Sequence, residues 1–213
     1  MLPDKPTVAT LAAAARNVTD RGGLVAQHAF TINTQLRVVP GYLVAEQGSG
    51  MSPLWEELAT TLHSSTDDVI VDVGRVQSTS PAMRIIEAAD AVVVVGRDPA
   101  TSVLHLRERV SHLRGALGHG RTTIVPLMII GHRHAEAALA ELDEILGVSG
   151  LDTTESAYLA WDVATLAELE AGADPRGRRL SRSLLMRTAT PAAANLSATS
   201  AGVTSILGRR STR

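Results

Sequence analysis

Two unbroken apolar runs, AVVVV at 91–95 and TTIVPLMII at 122–130, constrain the fold of this chain more than any other feature. A strand with one wet face alternates apolar and polar residues; a run without alternation needs cover on both faces, which is the environment of a parallel sheet layered by helices. Between the runs, Val103, Leu106, Val110, Leu113 and Leu117 recur at intervals of three and four, so a helix from a Ser102 cap joins the two strands. Strand, helix, strand in that order implies crossover connections and an α/β sandwich with a mostly parallel sheet.

The same alternation extends in both directions. LRVV at 36–39 and DDVIVDVGR at 67–75 supply earlier strands, the latter over 68–73, and a last one lies within 155–161. Helices are predicted over 6–21, from Ser52-Pro53 to His63, from Ser80-Pro81 to Ala89, over 134–146, from Asp162 to Gly172, and over 180–188. Pro126 lacks a ladder donor and predicts an edge, a bulge or an early break in its strand. From about 190 the sequence turns to Ala, Ser and Thr, which predicts one domain over 1–188 and a poorly ordered basic tail over 189–213.

Composition removes several function classes. The chain has no cysteine, which excludes disulfides, thiolate catalysis and Cys-ligated zinc and fits a reducing cytoplasm. Its formal net charge is -2, so no global field draws it to nucleic acid or lipid. The charge is uneven, however: no acidic residue follows Asp174, whereas Arg176, Arg178, Arg179, Arg182, Arg187, Arg209, Arg210 and Arg213 do. That arm is the one candidate for polyanion binding. Aromatic residues make up 2%, too few for the stacking platforms of single-strand binders. No apolar run approaches the length of a membrane span, and SILGRR near the end offers too little apolar area to adsorb on a bilayer.

Asp72 is the residue out of place in its Val/Ile run, and strand carboxyl ends in open parallel sheets face the ligand crevice. Asp72 can help hold a metal ion through water, or it can cap a local turn or accept a bond from Arg75 or Arg97. Asp162 reads first as a helix N-cap. His105, His112, His132 and His134 have no carboxylate or cysteine at ligand spacing and read as solvated histidines.

The order DDVIVDVGR, EAADAVVVVGRDPATSV, TTIVPLMIIG, then LAWD and a helix ending in Gly resembles the MinD and ParA kind of deviant-Walker-A ATPases, over roughly 5–188. The resemblance implies an incomplete P-loop NTPase fold and a nucleotide-associated role for Asp72, Gly74 and Asp162, with Asp72 organising Mg²⁺ and Gly74 letting the backbone pass the phosphates. Ala160 stands where the family's base-binding signature has proline. Arg75, and Arg97, Asp98 and Ser102 in the loop after the next strand, would belong to a dimer face or switch segment; Gly131-His132-Arg133 falls where relatives present a side chain to the nucleotide.

One departure governs the functional expectation. No Gly-rich loop ends in Gly-Lys-Ser/Thr, and Lys5 is the only lysine in the sequence. The loss of a central phosphate-loop strand would leave two rows of unpaired backbone groups, so the remaining strands must close up or borrow a partner. Three explanations stay open: a reading frame begun at an internal methionine of a longer ATPase, a degenerate regulator, or a sheet completed by another protomer. The expected function is cytoplasmic positioning or partitioning without ATP hydrolysis by this chain alone and with no catalytic residue or independent metal site. No cofactor is certain, Mg-ATP entering only if the pocket is completed. The expected partner is a second copy or a related ATPase subunit. The alternatives are a truncated active ATPase and a DNA-associating accessory protein using the arginine arm.

Overall fold

The computed structural model describes residues 6–19, 21–42, 50–77, 80–97, 99–118, 122–151 and 153–208, with side chains described throughout these ranges except at 52, 99–102 and 199–208. The chain divides into two compact units, Met1–Ala89 and Asp90–Arg213, where the sequence predicted one domain to 188.

In the first unit, α1 (Val8–Ala15) starts at Thr7, whose hydroxyl accepts from the Thr10 N–H while Thr10 returns the bond to the Thr7 N–H. It ends at Ala15, six residues short of the expected end at 21, because Asn17, Val18 and Thr19 are poor helix formers. A short α2 (Leu24–Gln27) leads into a hairpin of β1 (Phe30–Thr31) and β2 (Arg37–Val38), paired antiparallel. Asn33 builds the hairpin turn by accepting from the Gln35 and Leu36 N–H groups, each at 2.9 Å. The expected strand at 36–39 is thus a hairpin arm, and its partner β1 gave no apolar signal strong enough to predict it.

After a 3₁₀ turn at Ser52–Leu54 comes α3 (Trp55–His63), and later α4 (Met83–Ala88). The core of this unit gathers Leu11, Ala12, Ala15, Leu24, Met51, Trp55, Leu58, Ala59, Ala82 and Ile85, with Val73 packed against it. Thr61 is fully buried and its hydroxyl donates to the Glu57 carbonyl at 2.7 Å, so its polar atom costs little. Among the described residues the predicted strand 68–73 joins no ladder, and Ile70 is 98% exposed. Its residues have the propensity for a strand, but a strand is completed by a neighbour's hydrogen bonds, and among the described residues no strand pairs with it.

The second unit is a parallel three-stranded sheet, β3 (Ala91–Arg97), β4 (Thr123–Ile130) and β5 (Ala157–Ala160), in the order β3-β4-β5. The register pairs Val95 with Leu127 and Ile129 with Leu159. Helix α5 (Pro99–Leu117) buries Val103, Leu106, Val110 and Leu113 of the predicted stripe and leaves Leu117 half-buried, and α6 (Ala135–Val148) buries Ala138, Leu142 and Leu146. Helices α7 (Val163–Glu170) and α8 (Leu184–Gly208) complete the unit. Helix α8 runs to Gly208 through Pro191; Ala-rich sequence has high helix propensity even where it offers little to bury.

Pro126 lies inside the central strand, not at an edge. The backbone phase explains it. Thr123 donates to the Asp90 carbonyl on the β3 side, while Ile124 and Ile130 carbonyls accept from Thr154 and Trp161 on the β5 side. Even-numbered residues of β4 therefore face β5, whose register begins at Leu127, so the missing N–H of Pro126 falls between the isolated Thr154 bond and the start of the ladder. At the far edge, the outward N–H of Ala160 donates to the buried Thr188 hydroxyl of α8 at 3.0 Å, which closes that side of β5.

Candidate functional site

The first unit holds the Asp72 turn. Asp72 Oδ1 accepts from the Gly74 N–H at 2.9 Å, and Gly74 has φ of +61°, a conformation that a Cβ disfavours. The space around Gly74 is open, so its requirement is backbone geometry, not close approach. The carboxylate that ends the apolar run makes an Asx turn with the Gly74 N–H. One such bond uses only part of the acceptor capacity of a carboxylate. Asp72 and Arg75 are both exposed.

The second unit brings side chains from all three strands to the carboxyl end of its sheet, the end at which open α/β sheets take ligands. Arg97 closes β3, and its guanidinium carbon lies 4.0 Å from the centre of the Trp161 ring beyond β5. His132, on the 3₁₀ turn after β4, meets the Tyr158 hydroxyl through Nδ1 at 2.8 Å, the two rings stacked at 6.1 Å and 19°. The sheet register makes both contacts possible: Arg97 pairs with Ile129 and Ala160 with Ile130, and the Trp161 N–H continues the ladder to the Ile130 carbonyl at 2.9 Å.

Asp162 sits at the same end and acts as the N-cap of α7. Its Oδ1 accepts from the Thr165 N–H at 3.1 Å and its Oδ2 from the Thr165 hydroxyl at 2.7 Å. The Thr165 hydroxyl, then its N–H, hold the Asp162 carboxyl below its ordinary value against the opposing effect of burial, with the Leu185 and Leu184 amides adding to the depression. The amides at the starts of α7 and α8 both favour the charge of this carboxylate.

The remaining predicted positions are simply placed. Asp98 lies outside the described residues. Ser102 is within the first turns of α5, which starts at Pro99, and is not its cap; proline fits the first helical position because its missing N–H is unpaired there anyway. Among the described residues, no three His, Asp or Glu side chains gather as a metal site, and no helix is long and apolar enough to cross a membrane. The pairing of Trp161 with Arg97 and of Tyr158 with His132 was not legible in the sequence, although alternation along AYLAW does put Tyr158 and Trp161 on opposite faces.

No protein-family model and no curated protein matches the sequence. Among solved structures, the chain is similar to a ParA family ATPase from Chlorobium tepidum TLS, with a TM-score of 0.61 and 16% identity over 87% of this chain and 74% of that one. At that identity the likeness is one of fold. Helices on a parallel sheet, joined in this order, give the chain the α/β architecture of a ParA family ATPase.

Proposed function

We propose that this chain is a MinD/ParA-like partner or positioning factor of the cytoplasm that does not hydrolyse ATP by itself. The observation that carries the reading is a ParA-type fold in a sequence whose only lysine is Lys5 and which has no Gly-Lys-Ser/Thr loop. A triphosphate needs a nest of backbone N–H groups and a cation, commonly the loop lysine, to offset its charge. Asp72 and Gly74 in the first unit, and separately Asp162 in the second, are the positions proposed to associate with nucleotide; Arg75 in the first unit and Arg97 and Ser102 in the second are proposed to serve an interface or switch. If Mg-ATP is bound, the missing cradle comes from further polypeptide or from a related ATPase subunit. Calorimetric titration with Mg-ATP tests this: no heat of binding at micromolar nucleotide is expected, and micromolar affinity would return the chain to the active ATPases.

A second reading, DNA association, is favoured by one observation. Arg176, Arg178, Arg182 and Arg187 are exposed on the segment leading into α8 and along its first turns. Arg179 is partly answered by Glu168 at 2.6 Å. Phosphate contacts of this kind would make affinity fall steeply with salt, and deletion of 176–213 would abolish it.

A further inference from the structure

The arginine arm of the second unit carries its own restraint. Arg176, Arg178, Arg179, Arg182 and Arg187 are all exposed and all belong to that unit. Among the described residues, Arg179 is the one of them that an acidic side chain answers, its Nη2 lying 2.6 Å from Glu168 Oε1 on α7. The two partners are unequal, for the Arg179 side chain is 85% exposed and that of Glu168 only 30%. A partly buried carboxylate is less screened by salt than a fully wet one, so Glu168 keeps its hold on the guanidinium at ionic strengths that weaken ordinary surface pairs.

The start of α8, which lies within the arm, does not compete as an anion site. The Leu184 and Leu185 amides act on the Asp162 carboxylate, and the Met186 N–H donates to the Ser183 hydroxyl at 3.3 Å. Contacts to phosphate therefore fall to the guanidiniums, each of which releases condensed counterions from a duplex when it binds. From 176 to 187 the sequence has no aromatic residue on which an unpaired base could stack, which favours the duplex backbone over a single strand.

We propose that Glu168 governs the DNA affinity of this arm by withholding Arg179 from the phosphates. The inference rests on the DNA-associating reading given above. Duplex DNA then meets Arg176, Arg178, Arg182 and Arg187 directly. Arg179 joins them only by exchanging one anionic partner for another, which leaves the half-buried Glu168 carboxylate without its cation. That exchange cancels most of what the added phosphate contact supplies. Arg209, Arg210 and Arg213 lie outside the described residues and are common to every variant below.

Glu168→Gln keeps the size of the side chain and removes its charge. Fluorescence anisotropy of a labelled duplex titrated with the full chain, repeated across a salt series, reads the slope of log affinity against log salt. That slope should steepen by about one unit in Glu168→Gln, so that a fourfold drop in salt favours the variant by about a further threefold. Glu170→Gln, exposed on the same helix, removes an equal charge without releasing an arginine and should leave the slope as it is. Arg179→Ala should change the parent little but flatten the slope of Glu168→Gln by about one unit, whereas Arg182→Ala should flatten both by that amount. Circular dichroism should be the same for all of these surface variants. A slope indifferent to Glu168→Gln, or an Arg179→Ala loss equal in both backgrounds, would overturn the inference while DNA association stands. Absence of salt-dependent duplex binding by every protein in the series would overturn both.

Discussion

The guanidinium of Arg97 rests over the ring of Trp161, 4.0 Å from carbon to ring centre, and so joins the end of β3 to the end of β5 across the strand between them. Such a pair at an exposed site contributes about 0.5–1 kcal/mol. Arg97→Ala should lower stability by about that amount. It should also change the emission of Trp161, which is 44% exposed, while buried Trp55 at 7% supplies the constant background. Unchanged fluorescence in the variant would mean that the stack does not persist in solution.

Asp162 caps α7 through two bonds from Thr165, so its loss should exceed that of an ordinary surface carboxylate. Asp162→Ala should cost about 0.5–2 kcal/mol in urea unfolding at neutral pH. Its folded pKa is lowered below the ordinary 3.8, so the charge-dependent part of its stabilisation is fully present above that value and is lost as pH falls through the folded pKa. The gap between the parent protein and Asp162→Asn should therefore be largest at neutral pH and shrink in acid. A gap that widens in acid contradicts the assigned contacts.

The Thr188 hydroxyl is the partner of the outward N–H of Ala160. Thr188→Val keeps the shape, strands that buried donor, and should destabilise the protein by about 1–3 kcal/mol. Thr188→Ser restores the hydroxyl and should recover most of the loss; equal instability of the Val and Ser variants would assign the effect to packing.

At Gly74, a φ of +61° makes any Cβ unfavourable. Gly74→Ala should cost about 1–2 kcal/mol in denaturant unfolding, with Gly74→Asn costing less because Asn tolerates the left-handed region. Equal stability of the Ala variant would show that the Asp72 turn is not held.

The legible part of the fold was the part whose order is set by local pattern. The apolar runs at 91–95 and 122–130 and the Val103 to Leu117 stripe placed β3, β4 and α5 by composition and period, but the expected cover on both faces holds for β4 and not for β3, which leaves Val93 and Val95 exposed. Asp162 as an N-cap was equally legible, since the cap depends on a side chain three residues from its donor. The fate of 68–73 was not: DVIVDV has strand propensity, but pairing depends on what lies alongside, which no window of sequence contains. The same holds for Pro126, whose tolerance follows from the starting point of a neighbouring strand. At the sheet mouth, Arg97 was singled out but Trp161 was not, because they meet only through a register 64 residues apart in the chain.

The central claim is that a ParA-type fold is present here without the means to hold triphosphate, and equilibrium dialysis of the protein against labelled Mg-ATP tests it most directly. The account predicts no retention of nucleotide at micromolar concentrations by this chain alone. Stoichiometric retention of Mg-ATP at those concentrations, lost on Asp72→Ala, would contradict it.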